Sequence, residues 1–210
     1  MFQAPEPWSG EISVAPILFV SSNPSIDPAR YKDYPRAKWD NDRIGDYFDF
    51  RFGGSNASTI IEGRYLRSRE SPSGRKLVKY WGSVQDRATE LLARPAKAGK
   101  DYALTEVVRC KSRHETGVPE ALNTCVQEYL EPTISASASR VIVGLGRFAR
   151  LALCEHFSQD NRKNKHGPID VAGTTRTIVL LPHPSARLSR KSFADHLTTD
   201  ELDEVRSLFA

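Results

Sequence analysis

The chain has 210 residues, 39% of them apolar and 27% charged, and its 30 Lys and Arg against 26 Asp and Glu leave a net charge of +4. That length suits one packed domain spanning 1–210 and is short for two, and the modest positive charge fits a polyanionic partner without requiring one. No apolar run approaches the ~20 residues of a membrane span, and three cysteines, an odd number, argue against a disulfide framework. Met1 to Gly10 carries Glu6 and two prolines with no basic stretch ahead of an apolar one, so no signal peptide and a cytoplasmic location are expected.

The first element is Ile17-Leu18-Phe19-Val20, a short unbroken apolar run between Pro16 and Ser21-Ser22 that reads as a buried parallel strand. The stretch from Asn23 to Arg51 opens as a loop with Pro24, Pro28 and Pro35, then takes Trp39, Tyr47, Phe48 and Phe50 through a helix. Most of these aromatics are expected in the core, with Tyr34 or Tyr31, in the loop, as a stacking platform. Arg64 to Lys79 holds six cations against Glu70 alone and reads as an exposed basic loop, either a solvated face or a phosphate-binding one. Leu77, Trp81, Val84, Ala88, Leu91 and Leu92 predict an amphipathic helix over Arg75 to Ala93.

A second strand follows over Tyr102 to Cys110, then a helix from Pro119 to about Ser135, a third strand at Val141-Ile142-Val143, and a helix over Phe148 to Phe157. A polar loop, Asn161 to Gly173, leads to the fourth strand, Ile178 to Leu181. Thr198 and Glu201 form a capping box before a terminal helix. This alternation predicts a three-layer α/β/α fold with a mainly parallel four-stranded central sheet. Polar residues at the ends of its first, second and fourth strands would then face one crevice.

The fourth strand is stopped by Pro182 and Pro184, which holds His183 rigidly at the strand end where ligands of open α/β sheets bind. The first strand ends in the same manner at Ser21-Ser22-Asn23-Pro24-Ser25. Gly144-Leu145-Gly146-Arg147-Phe148-Ala149 fits the dinucleotide pattern G-x-G-x-x-A. The strand after it ends in Leu181-Pro182-His183 and lacks the acidic residue that would hold a ribose, which argues against nicotinamide binding.

Val20 to Ser25, the strand ending at Arg109-Cys110, the Val141 to Ala149 junction and His183-Pro184-Ser185 together resemble the uracil-DNA glycosylase superfamily, over about Ile17 to Arg190. The first motif is similar to the Gly-x-Asn-Pro-Gly of the mismatch-specific and single-strand-selective branches, with Ser21 and Ser25 in place of the two glycines. Cys110 and Cys125 match a spacing of the iron–sulfur branch, but Met1 to Pro16 holds no cysteine, so neither cluster, metal nor cofactor is expected.

The resemblance implies a monofunctional DNA glycosylase, a monomer with DNA as its partner and no membrane association. Asn23 and His183 would be its catalytic pair, and Ser22, Tyr34 and Glu106 its base-binding residues. Ser25, Ser185, Arg187 and Arg190 would contact DNA, with Arg187, or alternatively Leu188, filling the gap left by the flipped base. Asp27 is the carboxylate nearest Asn23 in sequence and the candidate to activate water. Glu106 stands where the family commonly has an Asn. It suits uracil only if a dry pocket keeps it protonated; otherwise it suits a base edge presenting donors, or pairs with a surface Arg. A non-catalytic nucleic-acid-binding protein of the same fold, and a hydrolase of free nucleosides or nucleotides, are the alternatives.

Overall fold

Ile17–Ser21 forms the first strand (β1), and all five of its residues are buried. The computed structural model describes residues 5–24, 39–52, 60–67, 73–187 and 191–209. After β1 come Asn41–Asp49 (α1), Ile60–Ile61 (β2), Tyr65–Arg67 (β3), Arg75–Leu77 (β4), Lys79–Leu92 (α2) and Tyr102–Glu106 (β5). Val118–Cys125 (α3) runs through a π-helical turn, Val126–Leu130, into Glu131–Ala136 (α4). Val141–Leu145 (β6), Arg147–His156 (α5), Lys165–Val171 (β7), Thr174–Leu181 (β8) and Thr199–Ser207 (α6) complete the order.

The central sheet has five strands in the order β5-β1-β6-β8-β7. β5, β1, β6 and β8 are parallel, and β7 runs antiparallel at the edge. The sequence predicts four strands because β7 falls in the polar stretch read as a loop. Only His166 and Val171 of β7 are buried, and Pro168 sits at a register shift between His166 and Ile169, so an edge strand lacks the apolar run that marks a central one.

Successive residues of each apolar run face opposite sides of the sheet, which turns one run into two cores. Leu18, Val20, Ile142, Ile178 and Leu180 pack with Leu122, Leu130, Ile134 and Leu153 from the helices after β5 and β6. Ile17, Phe19, Tyr102, Val143, Val179 and Leu181 pack on the other face with Val84, Ala88 and Leu91 of α2 and Val205 of α6. The result is the expected three layers. Gly144 is fixed by this packing, because a Cβ there would come within 2.7 Å of Leu180 and 2.8 Å of Leu153.

Two boundaries differ from the sequence reading. Arg75–Leu77 is a strand of a small antiparallel sheet, β2-β3-β4, and not the first turn of the helix. Leu77 is 50% exposed, so its helical spacing from Trp81 carries no burial. The second strand ends at Glu106, and the amides of Val107 and Val108 instead donate to the carbonyls of Ser21 and Ser22, both at 2.9 Å. Among the described residues no helix is long and apolar enough to cross a membrane.

Sheet order fixes where a ligand can sit. From β1 the chain crosses to β5 on one side, then returns past β1 to β6 on the other. The crevice beyond the carboxyl ends of β1 and β6 is thus a topological switch point, the place where loops diverge and leave a cleft.

Candidate active site

The cleft there has a volume of about 730 Å³ and is lined by Ser22 and Asn23 after β1, Ser112, His114 and Glu115 after β5, Gly146 and Arg147 after β6, and His183 and Ser185 after β8. Asn23, Ser22, His183 and Ser185, four of the residues singled out from sequence, therefore meet in one place.

Asn23 donates through Nδ2 to Ser112 Oγ at 2.9 Å and to the Pro24 carbonyl at 3.1 Å. With the nitrogen so committed, the amide oxygen is the acceptor it presents to a water. Ser22 is 6% exposed, and its hydroxyl donates to Glu115 Oε1 at 2.5 Å.

His183 is held from several sides. Arg87 of α2, itself 3% exposed, donates to the carbonyls of Pro182 at 3.0 Å and Lys191 at 2.9 Å, and Lys191 Nζ donates to the Pro184 carbonyl at 2.8 Å. The Tyr80 ring stacks on the imidazole, with centroids 5.4 Å apart and planes 26° from parallel. Gly146, at φ +87°, lets the β6 loop pass beneath: a Cβ there would lie 2.9 Å from the His183 Cβ. The Ser185 amide donates to Nδ1 at 3.2 Å, so the neutral ring carries its proton on Nε2. Burial lowers the pKa of His183; Glu115 opposes that shift, while Arg87 and Lys191 add to it. At neutral pH the cleft therefore holds an uncharged imidazole with an N–H to give.

Glu106 stands behind the cleft and not on its lining. Its carboxyl accepts from the Ser21 hydroxyl, which in turn accepts from Tyr80 Oη at 3.0 Å. On its other side is a cavity of about 20 Å³, room for one water, shared with Glu6, Trp8, Ser9 and Arg51. Burial pushes the Glu106 carboxyl up to about 8, with Glu6 adding to the rise, so it is protonated at pH 7 and can donate as well as accept. Burial, with Glu106 close by, also raises the Tyr80 phenol well above its ordinary range. Tyr80 thus joins the Glu106 cluster to His183.

Ser185 lines the cleft and is exposed, and Arg187, two residues on, is exposed as well. Ser25, Asp27, Tyr31, Tyr34, Leu188 and Arg190 lie outside the described residues. In the basic stretch, Arg64 is occupied with α2, donating to Gln85 and Asp86 at 2.5 Å each, so it anchors the small sheet and is not free for phosphate. Arg75 lies over the Tyr65 ring and pairs with Glu62, while Lys76 and, at the start of α2, Lys79 are both exposed.

The four thiolates of an iron–sulfur cluster do not exist in this chain: of three cysteines, Cys125 and Cys154 are buried in the apolar core and Cys110 is exposed. The donor set does not fit such a group.

Tyr80, Arg87, Ser112 and Glu115 were not found from sequence. Each acts on a residue far along the chain, 103 positions from Tyr80 to His183 and 93 from Ser22 to Glu115. Only strand order brings them together.

Compared with known families, the chain matches the model of the uracil DNA glycosylase superfamily over residues 8–205. No curated protein matches it.

Proposed function

Because the chain belongs to the uracil DNA glycosylase superfamily, we propose that it hydrolyses the N-glycosidic bond of a base flipped out of DNA, with Asn23 and His183 as the catalytic pair. The observation that carries this reading is the neutral His183, its Nε2–H free to donate, across one cleft from the Asn23 amide oxygen.

As the bond breaks, electrons pass to the base and negative charge grows on its carbonyl oxygen. A fixed N–H at that oxygen stabilises the charge where it develops, and a neutral imidazole supplies the N–H without first losing a proton. The opposite partner is a sugar that becomes cation-like and must be met by water. Asn23 orients that water through its amide oxygen.

Glu106 lies behind the cleft lining, so its assignment to reading the base requires the base to insert past Ser22 as far as the Ser21 hydroxyl from which the carboxyl accepts. A protonated carboxyl gives one donor and one acceptor, the pair that uracil O4 and N3–H require, whereas an ionised one would repel O4. Ser22 flanks this position. Tyr34, or Tyr31, is assigned to stacking on the base. The exposed Ser185 and Arg187, with Ser25 and Arg190, are assigned to the strand, Ser185 on a backbone phosphate and Arg187, or Leu188, in the gap left by the base.

Single-turnover base release from oligonucleotides carrying uracil, hypoxanthine or xanthine tests the reading. Release from one of them, lost in His183→Ala and in Asn23→Ala, is the expected result. Release that survives both substitutions would remove the catalytic pair from the account.

A further inference from the structure

We propose that Glu115 is the general base of this hydrolysis, taking the proton of the water that Asn23 orients. The inference rests on the glycosylase reading above and assigns a residue from the loop after β5 to a step that the ends of β1 and β8 leave unprovided.

The need comes from the chemistry of the other groups. An amide does not titrate near neutral pH, so Asn23 holds a water but cannot take its proton. His183 has Nδ1 engaged by the Ser185 amide and commits its Nε2–H as a hydrogen-bond donor to the leaving base, keeping its proton. Among the described residues lining the cleft, Glu115 is the single carboxylate.

Geometry puts it on the Asn23 side of the cleft. The loop after β5 grips the end of β1 twice, once through Asn23 Nδ2 on Ser112 and once through Ser22 on Glu115 Oε1 at 2.5 Å. The carboxylate is thereby fixed one residue from Asn23, while its own residue remains exposed to the cleft. Its second oxygen has no hydrogen-bond partner among the described residues. Two consecutive non-glycine residues, His114 at φ +53° and Glu115 at φ +58°, hold this turn in the left-handed region. Such strain persists where the surroundings dictate it, and here it presents a carboxylate to the cleft.

The step balances simply. The bond from C1′ to the base nitrogen breaks and its electron pair leaves with the base, whose carbonyl oxygen His183 holds. The water oxygen bonds to C1′, and the water proton passes to the free oxygen of Glu115. The base anion and the Glu115 proton then equilibrate with solvent.

The test is single-turnover release from single-stranded oligonucleotides carrying uracil, hypoxanthine or xanthine, with affinity for the same strands followed by fluorescence anisotropy. Glu115→Gln is expected to slow release by about 100-fold or more with affinity unchanged, the scale of a lost general base. Glu115→Ala is expected to regain rate when sodium formate is added, since a small carboxylate can occupy the vacated space. A rate kept in Glu115→Gln, a Glu115→Ala variant that formate does not rescue, or a formate-rescued loss found in Asp27→Ala instead would overturn the assignment. In each of those cases the wild type still releases a base and the glycosylase reading stands. A wild type inactive on all three strands overturns that reading, and this inference with it.

Discussion

His183 has a usable N–H because its neighbours leave it no other state: the Ser185 amide fixes the tautomer and burial keeps the ring neutral. Its position depends as closely on Gly146. Gly146→Ala adds a Cβ 2.9 Å from the His183 Cβ at a φ of +87°, so either the β6 loop or the imidazole must move. Displacing a catalytic group by about 1 Å can cost about 100-fold, and that loss in single-turnover rate is expected with DNA affinity retained. Glu106 sets a pH dependence. Its carboxyl titrates near the ordinary 4.5 when unfolded and at about 8 when folded, so between those values the folded state holds a proton that the unfolded state has lost. Its contribution to stability is therefore complete below about pH 4.5 and is lost as pH rises through 8. Urea midpoints of the wild type should fall from pH 5 to pH 9, and Glu106→Gln, which cannot ionise, should reduce that fall; an equal fall in both would place the effect elsewhere. The sequence makes Glu106 visible as a departure from the family pattern, but its protonation depends on burial among residues far along the chain, which outweighs the Ser21 hydrogen bond that lowers its pKa, and chain order does not reveal that burial.

Among the elements, the segment preceding β1 is held by charge. Ser9 bridges the free edge of β5 through Leu104, with bonds of 2.8 and 2.9 Å, and Glu6 lies between Arg51 at 3.0 Å and Lys111 at 2.7 Å. Burial alone would raise the Glu6 carboxyl, but these two cations bring it down to about 2. The stability it contributes is present above about pH 4.5 and is lost as pH falls toward 2. Glu6→Gln removes the negative charge between two buried cations and should cost about 3 kcal/mol in urea unfolding at pH 7. Helix α2 does comparable work for the site through Arg87, whose two bonds hold the loop carrying His183. Arg87→Met keeps most of the bulk and should slow base release more than it weakens DNA binding. The central strands and most helices were legible because buried apolar runs and helical stripes are local signals. The edge strand β7 and the strand β4 were not, because half-exposed strands carry polar residues and pair by contacts outside their own stretch.

For the whole molecule, the order β5-β1-β6-β8-β7 places the divergence of loops between β1 and β6 and so gathers Asn23 and His183, 160 positions apart, in one cleft. Both were legible because prolines and polar residues at strand ends are written in the sequence. Glu115, Tyr80 and Arg87 were not, since nothing near them in the chain marks them. A net charge of +4 is small, so binding through Arg187, Arg190 and their neighbours should depend on local cations, and affinity for oligonucleotides should fall steeply with rising salt. The most direct test of the central claim is single-turnover base release from single- and double-stranded oligonucleotides carrying uracil, hypoxanthine, xanthine or a normal base, with His183→Ala alongside. The account predicts release from at least one modified base, slowed about 100-fold or more in the variant. No release from any of them, with salt-sensitive binding intact, would contradict it and leave a nucleic-acid-binding protein that keeps the glycosylase fold.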